Sequence, residues 1–183
     1  MRYQCSLRVA SAALVLTTSL PCTTAQAQEA WAGVTAHGAD TPFTYDLEEG
    51  GADLQVGVRS APLPALAAIG APSGYSLASV SLAGDTSLLA AGLSWRLGAG
   101  PIYLRPGIGL AVHDGPRRRV GKDGKRTDLG SRVLFEPELA IGWQATRRLA
   151  IEASWVHVSH AQLFGGQNPG LDLIGLRAVV PLR

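Results

Sequence analysis

Residues 131–144 read SRVLFEPELAIGWQ, and their alternation decides the fold. Odd positions carry Ser131, Val133, Phe135, Pro137, Leu139, Ile141 and Trp143, whereas the even ones include Arg132, Glu136, Glu138 and Gln144. A period of two separates an apolar face from a charged one, as on a strand whose two sides meet different surroundings.

The pattern continues to either side. Residues 101–113 set Ile102, Leu104, Ile108, Leu110 and Val112 against Tyr103, Arg105 and His113, and residues 87–97 set Leu89, Ala91, Leu93, Trp95 and Leu97 against Ala90, Ser94 and Arg96. Residues 147–159 oppose Leu149, Ile151, Ala153 and Trp155 to Arg148, Glu152 and Ser154, and residues 171–182 oppose Ile174, Leu176, Ala178, Val180 and Leu182 to Arg177. Residues 52–59 alternate weakly, and further strands fall at 74–82 and near 31–37. Eight such strands predict an all-β, eight-stranded antiparallel transmembrane β-barrel.

Residues 1–27 read as a signal peptide that is cleaved off. Arg2 and Arg8 mark its basic start, residues 9–20 form an apolar run, and Ala25-Gln26-Ala27 offers a small-x-small cleavage pattern. The run is shorter than the roughly 20 residues of a spanning helix. Both cysteines, Cys5 and Cys22, lie in this leader, so the barrel domain, 28–183, is expected to hold without disulfides. The full chain has 183 residues with 16 Lys and Arg against 14 Asp and Glu; without Arg2 and Arg8 the balance is 14 to 14. No basic excess is left for displacing phosphate counterions, which argues against a nucleic-acid partner, and the length argues against a multidomain enzyme.

The charged face needs water or mutual pairing. Arg96, Arg105, Arg132, Glu136, Glu138, Glu152 and Arg177 are therefore expected inside, filling the narrow lumen of an eight-stranded barrel as ion pairs while the apolar face meets lipid. A soluble sandwich or lipocalin-like barrel is the competing fold, with its apolar face inward. Short connections at 98–100 and 145–147 and long ones at 113–130 and 160–170 favour the membrane barrel. The apolar, Pro- and Ala-rich segment 60–72 does not fit a short turn.

Polar residues interrupt the lipid-facing side. Parity puts His157 and Ser159 with Trp155, and Asp172 with Ile174. If His157 opposes Asp172, the register sum is 329, Ser159 opposes Gly170, and the facing Cβ atoms come within about 4.5–5.5 Å. His157 and Ser159 are then about 6.6 Å apart along the strand. Such a set can serve as nucleophile (Ser159), base (His157) and orienting acid (Asp172) of an esterase. The alternative is a non-enzymatic barrel with a structural or adhesive role, in which these are rim residues.

The stretch LGSRVLFE at 129–136, followed by His157-Val158-Ser159 and Asn168-Pro169-Gly170-Leu171-Asp172 before a last strand, resembles the lipid A 3-O-deacylase family of outer-membrane barrels. The resemblance implies a serine esterase that removes the ester-linked 3-O hydroxyacyl chain from lipid A, with lipopolysaccharide as substrate and no metal or organic cofactor. It assigns His157 and Ser159 as base and nucleophile, Asp172 where the family commonly has Glu, and Asn168 as an oxyanion donor, with Gly170 beside it. His160 stands where the family usually has Asn, and the chain ends Pro181-Leu182-Arg183 without a terminal aromatic residue. With a periplasmic N-terminus, the seventh strand runs outward, so the site meets the outer leaflet of the bacterial outer membrane and its lipids. Arg117, Arg118, Arg119, Lys122, Lys125 and Arg126 would then form an extracellular basic cluster, read equally well as a phosphate-binding loop or as a solvated one. Phe164 is a candidate acyl-chain contact. A homodimer is left open.

Overall fold

A computed structural model describes residues 27–45, 47–116, 127–161, 163 and 168–182. The leader up to residue 26, the basic cluster at 117–126 and Phe164 lie outside the described residues. Eight strands follow one another: β1 (Ala27–His37), β2 (Gly51–Pro62), β3 (Ser73–Ser81), β4 (Leu88–Ser94), β5 (Ile102–His113), β6 (Val133–Thr146), β7 (Leu149–Val158) and β8 (Leu171–Pro181). Each pairs antiparallel with its neighbour in sequence, and β1 pairs with β8 to close the barrel. No described helix is long and apolar enough to cross a membrane; strands of this length, tilted, are sufficient.

The faces follow the alternation. On β6, Leu134, Glu136, Glu138 and Ala140 are buried, while Val133, Leu139, Ile141 and Trp143 are exposed on the outer wall. Turned outward in water, such a wall would be an unstable surface; against hydrocarbon it is the favoured one. The lumen is filled, with Arg59, Arg177, Gln55, Glu136 and Glu152 each under 2% exposed.

Glu152 is the centre of that filling. It accepts from Tyr103 OH at 2.8 Å, Arg105 Nε at 3.1 Å and Arg177 Nε at 2.7 Å, with Arg59 Nη2 at 3.5 Å. Arg177 also reaches Glu138 at 3.1 Å, and Arg59 reaches Glu29 at 2.9 Å. Glu136 is held by the Tyr75 hydroxyl. Space for Tyr103 comes from Gly142, where a β-carbon would lie 2.1 Å from the ring.

Two of the expected lumen cations lie at its ends. Arg96 is exposed near the barrel mouth with its guanidinium 3.4 Å from the centre of the ring of buried Tyr103. Beyond β4 the pairing with β5 continues to Leu97 with Leu104, so Arg96 keeps the inward side and caps the lumen. Arg132 precedes β6 and is exposed, donating to the carbonyls of His113 and Gly115 and thereby bracing the β5–β6 connection.

Segment 60–72 completes β2 and then forms a 3-10 helix, Pro64–Ile69, with Pro64 in its first turn and Gly70 in the left-handed region at its end. None of the helix is buried, and Trp95 Nε1 donates to the Ile69 carbonyl at 2.7 Å, fastening it to the end of β4. A helix, rather than a tight turn, thus explains the proline, the alanines and the length.

At the opposite end, Glu49 joins three connections. It accepts from Thr86 N–H at 2.9 Å and Thr86 Oγ1 at 2.8 Å in the β3–β4 connection, and from Thr127 N–H at 2.6 Å before β6. His37 Nε2, at the end of β1, lies 2.9 Å away, and the other ring nitrogen meets Asp53 at 2.8 Å. Burial pushes the Glu49 carboxyl up, but the bonds from His37, Thr86 and Thr127 outweigh it and hold the group below its ordinary value.

Candidate active site

β7 and β8 pair with a constant register sum, from Ala150 with Val179 to His157 with Asp172 and Val158 with Leu171. His157 and Asp172 therefore face each other on the outer side, and His157 Nδ1 lies 2.6 Å from Asp172 Oδ1. The pairing ends there. Ser159 does not continue the ladder to Gly170 but bridges to Phe135 of β6, accepting from Phe135 N–H at 2.7 Å and donating its own N–H at 3.1 Å. The β7–β8 hairpin thus parts at Ser159, which the uninterrupted register expected from the sequence did not include. A chain that turns into a long loop loses one ladder partner and keeps the other.

Ser159 remains partly exposed, two residues beyond His157 on the same strand. Its Oγ makes no hydrogen bond to His157, so the structure joins His157 and Asp172 directly and Ser159 only through its place on the strand. Such a contact often tightens only when substrate binds.

Asp172 points outward by register, yet it is 0% exposed. The cover is the connection from β1 to β2. Thr41 Oγ1 donates to Asp172 Oδ2, and Ala39 N–H donates to the Asp172 carbonyl at 3.0 Å. Phe43 from the same connection packs on His157 and Trp155, with ring centres 6.1 and 5.4 Å away. Tyr45 N–H donates to the Pro169 carbonyl at 3.1 Å, and its hydroxyl accepts from Asn168 N–H at 3.0 Å. A bare carboxylate facing hydrocarbon would be costly; here both oxygens have partners and a polypeptide roof.

Asn168 and Gly170 border the pair. The Asn168 side-chain oxygen accepts from His160 N–H at 3.0 Å, which fixes the orientation of the amide. Gly170 adopts φ +70°, and a β-carbon there would lie 2.8 Å from His157 Cε1. His160 itself is fully buried, just beyond the end of β7. Thr41, Phe43 and Tyr45 were not singled out by the strand pattern, because they lie in a connection with no period.

A search of curated proteins returned no match. Among solved structures, the fold resembles the outer-membrane enzyme PagL at 17% identity and a TM-score of 0.56, covering 84% of this chain and 99% of that one. It also resembles Neisserial surface protein A, at 11% identity and TM-score 0.49 over 84% and 96% of the two chains. The Yersinia pestis outer-membrane protein Ail matches at 11% identity and TM-score 0.46 over 86% and 100%. The lipid A 3-O-deacylase (PagL) family matches residues 63–181, well over half of the chain. That segment holds β3 to β8 with His157, Ser159, Asn168 and Asp172. The chain therefore belongs to the PagL family of lipid A 3-O-deacylases and is an outer-membrane β-barrel of that kind.

Proposed function

We propose that the chain hydrolyses the 3-O ester of lipid A with Ser159 as nucleophile, His157 as general base and acid, and Asp172 as the orienting carboxylate. The observation that carries this reading is the 2.6 Å contact between His157 Nδ1 and Asp172 Oδ1 on the outer face of the wall. An acceptor at Nδ1 keeps the proton there and leaves the Nε2 lone pair to act as base.

In the first step Ser159 Oγ attacks the ester carbonyl as its proton passes to His157 Nε2. The carbonyl oxygen becomes negative, and the Asn168 amide NH2, in the side chain oriented by the bond from His160 N–H to its oxygen, is the donor offered to it beside Gly170. The tetrahedral species collapses as Nε2–H protonates the departing sugar hydroxyl, leaving an acyl-serine. Water, deprotonated by Nε2, then releases the hydroxy fatty acid and restores the serine. Substrate arrives by lateral diffusion in the outer leaflet, which suits a site on the outside of the barrel.

The test is expression in a bacterium of known lipid A, with mass spectrometry of that lipid and heat-dependent gel mobility as the check of folding. The native chain is expected to remove one hydroxyacyl chain, and Ser159→Ala to leave lipid A intact. Unchanged lipid A with folded native protein overturns the activity; deacylation by folded Ser159→Ala overturns the nucleophile.

A further inference from the structure

We infer that Thr41, in the connection between β1 and β2, is a positioning residue for the acid of the site: its hydroxyl holds the second oxygen of Asp172. This rests on the Ser159–His157–Asp172 reading above. It extends the site to a residue outside the matched segment 63–181, at the opposite end of the chain.

The geometry leaves the Thr41 hydroxyl little choice. Its oxygen accepts from Phe43 N–H at 3.1 Å, and its proton is directed at Asp172 Oδ2. A hydroxyl whose acceptor role is filled by a main-chain donor works as a fixed donor. Thr41 N–H in turn donates to Thr44 Oγ1 at 3.1 Å, closing a small turn that sets the residue in place. Two main-chain bonds, Ala39 to Asp172 and Tyr45 to Pro169, dock that turn on the start of β8.

Asp172 needs such a partner. With only His157 at Oδ1, the carboxylate would be free to rotate about its last bond and would leave one buried oxygen unpaired. Bonds to both oxygens fix its plane, and with it the orientation of the imidazole. Phe43 covers the His157 ring from the same connection and excludes water from the pair.

The test compares Thr41→Val, which removes the hydroxyl at nearly constant volume, with Thr41→Ser, which keeps it. Purified, folded protein is assayed on lipopolysaccharide. Thr41→Val is expected to lose about 10- to 100-fold in kcat with KM unchanged, the equivalent of one hydrogen bond to a charged group. Thr41→Ser is expected to restore kcat. Native kcat in folded Thr41→Val, with Ser159→Ala inactive, overturns the role of Thr41 and leaves the triad standing. Equal impairment of Thr41→Ser and Thr41→Val, with loss of the folded gel form, also overturns it, since the residue is then structural. Activity in folded Ser159→Ala overturns the triad itself, and the assignment of Thr41 with it.

Discussion

Gly170 lies against the His157 imidazole so closely that a β-carbon at 170 would sit 2.8 Å from Cε1 and 3.5 Å from Nε2. Its φ of +70° is also a conformation that side chains disfavour. Two independent constraints therefore converge on glycine at this position.

Gly170→Ala is expected to displace the ring from Asp172 while leaving the barrel closed, since residue 170 precedes β8. A shift of about 1 Å in a reacting group costs on the order of 100-fold in rate. Deacylation kinetics of the folded variant check this; native kcat would show that the imidazole has room to yield.

The lumen makes a second expectation. Glu152→Gln removes the charge that Arg59, Arg105 and Arg177 share, without changing volume, and leaves buried guanidiniums under-compensated. Breaking such a buried pair costs about 3–5 kcal/mol. Denaturant unfolding of the lipid-inserted barrel should show a lower midpoint, whereas active-site geometry on the outer wall is expected to persist in the molecules that stay folded.

Glu49 sets a pH dependence. Its folded-state pKa lies below its ordinary value of 4.5, so its contribution to stability is complete above that value and is lost as pH falls through the lower, folded one. As pH falls below 4.5 the native barrel is expected to lose stability that Glu49→Gln does not lose. At neutral pH, Glu49→Gln is expected to be less stable by roughly 1.5–3 kcal/mol, the range for hydrogen bonds to a charged group. Unfolding midpoints of both proteins across that window decide it; parallel curves would exclude the carboxylate as the acid-sensitive tie.

Strand faces were legible because the lumen and the bilayer impose opposite solvents on successive residues. The pairing of His157 with Asp172 followed from two separate parities, and it falls at the expected register. Legibility stopped where the ladder stops. Arg132 lies just before β6, where alternation no longer dictates side. Ser159 keeps β6 and loses β8, a choice between two neighbours that a single hairpin register does not contain. Thr41 was readable only through closure: once β1 pairs with β8, the chain leaving β1 must pass the start of β8, but no local motif marks residue 41 as its contact.

That closure has a consequence for the life of the protein before it reaches its membrane. β1 and β8 are the first and last strands of the chain, and Thr41 and Asp172 sit on either side of the seam where they meet. An open sheet in transit across the periplasm has the serine, the histidine and the aspartate but lacks the threonine that holds the carboxylate. On the reading proposed above, the site is therefore complete only where the seam is closed, and an unclosed chain is expected to act on lipid A more slowly than the finished barrel.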